Sequence, residues 1–454
     1  MKAIIIGAGA LGLGLADFLN RFEHQVSIIE RNPSLVSDIS SRLDVLIVIG
    51  SGSSPSVLEQ AGIETADMVI AVTPSDEINL LACQFAEQYG VPKRIARIVS
   101  HEYTNNKTRI DLKKVGVTDI IETEKELVGN ILQYVELPGI TDTANFHNGS
   151  VFLRGYRITE DMPVAGKTLF EFRELAGSAQ MLIVAIIRNG ESIIPSGAER
   201  LLPGDETITI MPRESYPVYM ALINRPYSKI KKVIISGDSL VAIHIADALT
   251  SFAERVILVD PDPEHGEEAA SQLNGVEVLG GDATDSDLLQ EIHVESADFF
   301  IAAGKDMEDN IMSCLLAKAE KAREVIALRT DDRHLDLFTS LGIDHVISPR
   351  QITLQRILEN VQIAPIGSLL KLKKVDLDVV RVVTGKHSPA VGKPLLKLDK
   401  LLKKEIIVGA IVRDNNIIIP GGDTIIEEND EVLALCHRRN LLAVNKIFRT
   451  GFRF

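Results

Sequence analysis

The amino-acid sequence contains one long pattern written twice. Arg188 and Asp205 recur as Arg413 and Asp430 at one constant interval, and an apolar run that ends in glycine opens both copies. A fixed long-range repeat is typical of tandem copies of a whole structural module. We therefore divide the chain into a first half and a second half, which are joined near Asn224.

Each half begins with short apolar strands that alternate with amphipathic helices. This alternation is typical of a parallel sheet that helices cover on both faces. The predicted fold is therefore α/β, with two Rossmann-like doubly wound parallel-sheet domains, each followed by a small α+β domain in a tandem repeat. The predicted boundaries are 1–136 for the first nucleotide-binding domain, 147–223 for the first small domain, 231–361 for the second Rossmann-like domain and 373–454 for the second small domain.

Charge and hydropathy argue against several kinds of partner. The formal net charge of −15 repels the phosphates of nucleic acids, so we expect no nucleic-acid partner. No apolar run approaches the ~18 residues of a membrane-spanning helix, which predicts a soluble chain without direct membrane insertion. Cys83 and Cys314 occupy equivalent predicted helices. We interpret them as buried apolar residues in a reducing cytosol, not as a disulfide.

A glycine-rich motif follows the first strand directly and opens a helix. In such a turn the glycines allow a tight bend, close approach of a pyrophosphate and close packing of helix on strand. Glu30 ends the second strand, where a carboxylate accepts ribose hydroxyls and repels a 2′-phosphate, so NAD(H) is favoured over NADP(H). The predicted cofactor-binding residues of the first half are Gly7, Ala8, Gly9, Ala10, Leu11, Gly12, Glu30, Ser51, Ser53 and Thr73.

The second half carries an altered version of this motif. Gly237 is the one glycine kept, while Asp238 and Ser239 add a charge and a side chain where a phosphate would approach. Asp260 still corresponds to Glu30, and the predicted cofactor-binding residues here are Asp260, Asp282 and Thr284. Two interpretations stay open, a weak or different nucleotide and a retained fold without ligand. In either case we expect the two sites to be unequal.

The sequence shows no pattern of catalytic residues or metal ligands. The domain after each sheet offers no obvious proton donor or acceptor for a nicotinamide enzyme. The ten histidines follow no metal-ligand spacing, so neither a catalytic residue nor a metal site is predicted. A nucleotide-binding site without catalytic residues indicates a protein that senses the nucleotide. The chain is therefore predicted not to be an enzyme.

The order of these motifs resembles a known family. The glycine turn with Glu30, the loop at Gly50 and the segment Ala66–Thr73 with Asn79 are similar to the amino-terminal domain of regulators of K⁺ conductance, called RCK domains. The segments Ala185–Arg188, Ile194–Gly197 and Gly204–Glu206 resemble the companion carboxyl-terminal domain. Two such pairs in one chain resemble the cytosolic regulatory subunits of Trk potassium-uptake systems, and the resemblance covers essentially the whole chain.

The resemblance implies a function and its partners. NAD(H), and possibly ATP or ADP, would control a membrane K⁺-translocating subunit of the TrkH or TrkG type. Such chains assemble as homo-oligomers, with a tetramer forming a ring, and they lie in the cytoplasm, peripheral to the inner face of the cell membrane. The alternatives are an NAD-dependent oxidoreductase, which predicts cofactor turnover, and a nucleotide-binding regulator of another cation transporter.

Overall fold

A computed structural model shows how these elements pack. The described residues form two compact units. One lies within Met1–Ile131, Leu328–Asp332 and Ile347–Val361, and the other within Leu132–Ala327, Arg333–Val346 and Gln362–Phe454. The residues that the structure describes are 1–21, 24–104, 109–137, 139–147, 149–224, 230–329, 338, 341–361, 367–371, 377–402 and 405–448. The segment joining the halves at 225–229, and much of the stretch that precedes the last domain, lie outside these residues.

The first half opens with a six-stranded parallel sheet in the order β3-β2-β1-β4-β5-β6. The reversal of strand order between β1 and β4 creates a crevice at the carboxyl ends of the strands. The strands are β1 Lys2–Ile6, β2 Gln25–Glu30, β3 Leu46–Ile49, β4 Met68–Ala71, β5 Lys93–Ile98 and β6 Asp119–Glu122. The helices are α1 Ala10–Arg21, α2 Val36–Arg42, α3 Pro55–Gln60, α4 Asp76–Gln88 and α5 Thr123–Glu136.

A five-stranded antiparallel sheet follows, in the order β10-β9-β11-β8-β7. Its helix α6 begins at a capping box, in which Thr168 and Glu171 satisfy each other's backbone amides. The strands are β7 Ile140–Phe146, β8 Val151–Arg157, β9 Leu182–Arg188, β10 Glu191–Ile193 and β11 Glu206–Pro212. The helices are α6 Leu169–Ala176 and α7 Tyr216–Leu222.

The second half repeats both sheets, in the orders β14-β13-β12-β15-β16-β17 and β18-β19-β22-β20-β21. The predicted fold class is thereby confirmed. The strands are β12 Ile230–Ser236, β13 Ala253–Asp260, β14 Val276–Gly280, β15 Phe299–Ala302, β16 Glu324–Leu328, β17 His345–Ile347, β18 Gly367–Lys371, β19 Leu377–Val383, β20 Ile406–Arg413, β21 Asn416–Ile418 and β22 Glu431–His437. The helices are α8 Leu240–Leu249, α9 Pro263–Gln272, α10 Ser286–Glu291, α11 Met307–Ala319, α12 Pro349–Val361, α13 Leu395–Leu402 and α14 Leu441–Phe448.

The repeated arginine and aspartate form the same ion pair in both small domains. Arg188 Nε and Nη2 donate to the two carboxylate oxygens of Asp205, each at 2.8 Å. Arg413 binds Asp430 in the same two-pronged way at 2.7 and 2.8 Å. Both aspartates are buried, so each pair fixes the end of one strand to the turn before the strand that lies beside it in the sheet, β9 to β11 and β20 to β22. The interval that revealed the repeat therefore marks a structural contact.

The two small sheets share one hydrophobic core within the second compact unit. Leu153, Val184 and Ile210 of the first small sheet pack in one cluster with Val379 and Leu433 of the second. A Cβ on Gly409 would lie 2.4 Å from Ile210 Cδ1, so glycine lets the strands approach closely.

The three cysteines lie in the hydrophobic core. Cys83, Cys314 and Cys436 are free and buried, which confirms the prediction that Cys83 and Cys314 are core residues. Within the described part of the chain, none of the helices has the length and apolar character that crossing a bilayer requires.

Helix α12 follows the second sheet in sequence but belongs to the first compact unit. It packs on α1 at Gly14, where an added Cβ would lie 3.5 Å from both Arg350 Nη2 and Leu354 Cδ2. Arg356 Nε lies 3.0 Å from Glu126 Oε1 on α5 and helps to hold α12 in place.

Within the second compact unit, residues of the first half pack on the second sheet. The ring of Tyr134 contacts that of His345, with centroids 4.5 Å apart and an angle of 42° between the ring planes. The Gly139 amide donates to Glu324 Oε1 at 2.7 Å.

Candidate functional site

A cavity of about 1030 Å³ lies at the carboxyl ends of the strands of the first sheet. This is the edge at which open parallel sheets bind their ligands. Residues of β1, β2 and β5, the glycine turn with the start of α1, and the loops after β2, β3 and β4 line it. Residues of α4 and α5, a residue next to β16 and residues of α12 complete the lining. The lining is Ile6, Gly7, Gly9, Ala10, Leu11, Ile29, Glu30, Arg31, Asn32, Pro33, Leu35, Gly50, Ser51, Gly52, Val72, Thr73, Pro74, Ser75, Ile78, Arg97, Thr123, Arg329, Pro349, Arg350 and Thr353.

The three glycines of the turn Gly7–Gly12 have different roles. Gly7 adopts a φ of 102°, and a Cβ there would lie 3.3 Å from the Thr73 backbone. A Cβ on Gly12 would lie 1.9 Å from the Gly7 carbonyl oxygen, so this glycine permits helix-to-strand packing. A Cβ on Gly9, in contrast, would meet no described atom within 4 Å. Gly9 therefore leaves open space at the amino-terminus of α1, where free amides and the helix dipole attract an anion.

Glu30 is held directly beside the glycine turn. Its Oε2 accepts a hydrogen bond from the Ala8 amide at 2.7 Å, and its Oε1 accepts one from the Asn32 amide at 2.7 Å. These contacts orient a half-buried carboxylate that lines the cavity. Each carboxylate oxygen has a second lone pair, so the group can still accept hydroxyl hydrogens of a ligand.

The predicted loop after β3 is stabilised by its own side chains. Ser51 Oγ and Ser53 Oγ lie 2.7 Å apart, and the Ser53 amide donates to Ser51 Oγ at 3.3 Å. A Cβ on Gly52 would lie 2.2 Å from Ile6 Cγ2, so this loop packs tightly on β1. Ser51 lines the cavity, whereas Ser53, Ala8 and Gly12 are not among its lining residues.

Thr73 is fixed by a buried asparagine, Asn79, that joins the loop after β4 to strand β5. The amide and hydroxyl of Thr73 donate to Asn79 Oδ1 at 3.0 and 2.8 Å. Asn79 Nδ2 donates in turn to the carbonyls of Thr73 and Arg97, at 3.0 and 2.9 Å. In the second half Asn310 contacts Gly304 in the same way, at 2.7 and 2.9 Å. This clamp is therefore a property of the fold in both halves.

Sequence reasoning missed the arginines of the cavity. Arg97 lies next to the last residue of β5, and its Nε donates to Thr123 Oγ1 at 3.1 Å, while burial lowers the pKa of its guanidinium. Its position near the carboxyl end of a parallel strand could have identified it as a candidate site residue, because ligands bind at that edge of such sheets. Arg329 and Arg350 also line the cavity, although they are far from the glycine turn in sequence. No pattern in the sequence indicates that α12 packs against α1.

In the corresponding turn of the second half, Asp238 and Ser239 form hydrogen bonds within the chain. Lys305 Nζ lies 2.9 Å from Asp238 Oδ2, and the Lys305 amide donates to Asp238 Oδ1 at 3.2 Å. Partial burial works against ionisation of Asp238, but these bonds prevail and lower its pKa. Ser239 Oγ accepts from the Ala242 amide at 3.1 Å and so caps α8. An amide at this helix terminus is therefore bonded within the chain.

The remaining predicted residues of the second half also bond within the chain. Asp260 is 0% exposed, and its carboxylate contacts the Asp262 amide at 2.9 Å and His265 Nδ1 at 2.5 Å. Asp282 accepts from the amide and hydroxyl of Thr284, at 2.8 and 2.7 Å. Within the described residues, no group of three or more His, Cys, Asp or Glu side chains could hold a metal ion.

Comparison with known proteins agrees with this arrangement. The TrkA-N domain model matches residues 3–123 and 233–349, and the TrkA-C domain model matches residues 153–222 and 379–449. The GsuK RCK domain is similar with a TM-score of 0.59 and 19% identity, covering 98% of this chain and 94% of that chain. A GsuK channel bound to NAD has a TM-score of 0.61 and 18% identity, covering 98% and 78%. At these identities the likeness concerns the fold.

Curated relatives match over the full length. The Trk system potassium uptake protein TrkA of Azorhizobium caulinodans is 32% identical, over 100% of both chains. The protein of the same name from Haemophilus influenzae is also 32% identical, over 100% of both chains. A TrkA homolog of Archaeoglobus fulgidus is 30% identical, over 99% of this chain and 100% of its own. With matched domains in both halves and relatives aligned from end to end, the chain belongs to the TrkA family of Trk system potassium uptake proteins.

Proposed function

We propose that this protein is a nucleotide-sensing regulatory subunit of a potassium uptake system. It binds NAD(H) or another adenine nucleotide in the cavity of the first half and controls a membrane K⁺-translocating subunit of the TrkH or TrkG type. The observation that carries the proposal is the open space at Gly9 beside the oriented carboxylate of Glu30. A relative of known fold, the GsuK channel, has been observed with NAD bound, which supports the choice of ligand.

Different residues of the first half would bind different parts of the nucleotide. The amides at the start of α1 would hold a pyrophosphate next to Gly9, because a helix amino-terminus attracts anions. Glu30 would accept the ribose hydroxyls and would repel a 2′-phosphate. We therefore propose Gly7, Ala8, Gly9, Ala10, Leu11, Gly12, Glu30, Ser51, Ser53 and Thr73 as the cofactor-binding residues, and we assign the stronger site of the chain to this half.

The proposed setting follows from the family. We place the protein in the cytoplasm, at the inner face of the membrane, where it assembles as a tetrameric ring beneath its partner. Nucleotide binding can then act on transport only if two states of the ring bind the nucleotide with different affinity. The four domain boundaries predicted above are part of this proposal.

Titration calorimetry of the full chain with NADH, NAD, ATP and ADP tests nucleotide binding. We expect one strong site per chain and its loss in Gly9→Asp, because the new carboxylate would occupy the position of the phosphate. Absence of binding for all four nucleotides would contradict the proposal. Two equal sites per chain would contradict the assignment to the first half.

The regulatory role needs a separate test. A reconstituted K⁺-translocating subunit should respond to nucleotide with the native protein and lose that response with Glu30→Ala or Gly9→Asp. An unchanged response in both variants would refute the regulatory role. Measurable turnover of NADH with a small substrate would instead support the alternative, an NAD-dependent oxidoreductase.

A further inference from the structure

Another cavity, of about 380 Å³, lies between the two small domains within the second compact unit. We call it the Glu214 cavity. Gln180, Glu214 and Ser215 of the first small domain line one side, and Asn415 and Asn416 of the second small domain line the other. Ser215 is 6% exposed and belongs to a short 3₁₀ turn after β11, and Asn416 begins β21. The volume lies within the range of sites that bind small molecules.

The Glu214 cavity is polar and carries a negative charge. Glu214 is the one charged side chain among its described lining residues, and the other polar groups are amides and hydroxyls. Within the described part of the chain, the Glu214 carboxylate has neither an ion-pair partner nor a hydrogen-bond donor. Because the described lining contains no lysine or arginine, the cavity attracts cations and not anions such as phosphates.

The second small domain carries the same turn with a different set of side chains. The 3₁₀ turn Arg213–Ser215 recurs there as Arg438–Asn440. At the interval of the repeat, three lining residues of the cavity are replaced: Gln180 by Glu405, Glu214 by Arg439 and Ser215 by Asn440. Arg439 Nη2 donates to Glu405 Oε1 at 3.0 Å, and Asn440 Nδ2 donates to Glu405 Oε2 at 2.8 Å. The carboxylate at this turn therefore has a guanidinium partner within the chain in the second small domain, but not in the first.

We propose that the Glu214 cavity binds a small organic cation that carries a guanidinium group. The guanidinium pairs with Glu214, in the way that Arg439 pairs with Glu405 at the equivalent turn. Its planar set of donors suits a carboxylate, and the amide groups of Gln180 and Asn415 can bind the rest of the ligand. One carboxylate among amides fits an organic cation better than a metal ion, which takes several oxygen ligands.

The proposed ligand would contact both small domains at once. The ion pair between Arg413 and Asp430 holds the strand that leads into the turn at Asn415, so this side of the cavity is anchored. Binding to the packed arrangement alone stabilises it in proportion to the ligand concentration. This inference goes beyond nucleotide binding and does not depend on it, because the Glu214 cavity shares no lining residue with the cavity of the first half.

Titration calorimetry of the full chain with agmatine, a guanidinium on an alkylamine, tests the proposal. We expect one agmatine per chain. N-carbamoylputrescine, in which an uncharged urea replaces the guanidinium, should bind about tenfold more weakly or worse, because the charge-assisted bonds to Glu214 are lost. Equal binding of the two compounds would overturn the proposal, as would a native protein that binds neither.

Three variants locate the binding. Glu214→Gln should weaken agmatine binding about tenfold or more. Glu174→Gln removes an exposed carboxylate of α6 that does not line the cavity and should leave the affinity unchanged. The double variant Gln180→Glu with Glu214→Arg copies the ion pair of the second small domain and should abolish binding, because the guanidinium is then supplied by the chain.

The outcomes separate this inference from the proposed function. If Glu214→Gln and Glu174→Gln have the same effect on agmatine while their circular dichroism is native, or if the double variant binds agmatine as the native protein does, the ligand is not held at Glu214 and the inference fails. The affinity for NADH, measured in the same variants, should equal that of the native protein. A failure at the Glu214 cavity therefore leaves the nucleotide site as proposed, and a failure of nucleotide binding leaves the Glu214 cavity.

Discussion

The two parallel-sheet domains share a strand order but differ at one turn. In the first, Gly9 leaves the start of α1 open. In the second, Ser239 caps α8, and the neighbouring Asp238 pairs with Lys305. The asparagine clamp on the neighbouring loop is the same in both. The comparison teaches that the fold does not require an open helix terminus. A helix start whose amides lack a side-chain cap is the less stable alternative, and a ligand that occupies it supplies the missing contacts.

The largest expected difference between the two domains is in how far bound nucleotide slows chemical labelling of the equivalent cysteines, Cys83 and Cys314. Burial raises the pKa of Cys83 to about 12 and also raises that of Cys314, so both thiols are protonated and closed to reagents at neutral pH. Labelling therefore requires opening of the surrounding domain. ATP at about 100 times its Kd should slow labelling of Cys83 about a hundredfold, and that of Cys314 hardly at all. Site-resolved mass spectrometry would measure both rates in one sample, and equal protection would contradict the assignment of the ligand to the first domain.

Removing the charge of Glu30 should have a smaller effect. We expect Glu30→Gln to weaken NADH binding about tenfold, because the bonds to the ribose hydroxyls lose their charge-assisted character. The preference for NADH over NADPH should narrow as well, since the repulsion of a 2′-phosphate is lost. Asp260→Asn is the matched change in the second half, and calorimetry should show no loss of affinity there. An equal loss in both variants would mean that both carboxylates contact the ligand.

The smallest expected effect concerns the cap of the second turn. Ser239→Ala should lower the free energy of unfolding by about 1 kcal/mol, because the Ala242 amide loses its partner. Ser239→Gly should cost only a few tenths of a kcal/mol, because glycine is far better tolerated than alanine as the residue that caps the start of a helix. Urea unfolding monitored by circular dichroism measures the difference. If alanine and glycine leave stability unchanged, Ser239 does not stabilise the turn.

The sequence predicts the features that neighbouring residues determine, and it does not predict contacts between segments that are far apart in the chain. Strand and helix alternation predicts both parallel sheets, and the spacing of Gly7 and Gly12 predicts a tight turn whose packing the structure shows. The recurrence of Arg188 and Asp205 indicates the repeat, but only the folded chain shows that they form an ion pair. The position of Arg350 at the cavity depends on the packing of α12 against α1. No local pattern near Arg350 reports that contact.

The position of helix α12 determines whether the two halves of the chain can be separated. It completes the first compact unit although it follows the second sheet, while Tyr134 and Gly139 of the first half are bound to His345 and Glu324 in the other unit. A gene cut between the halves would separate each sheet from a segment that covers it. We therefore expect that either half, produced alone, would leave part of its own sheet uncovered.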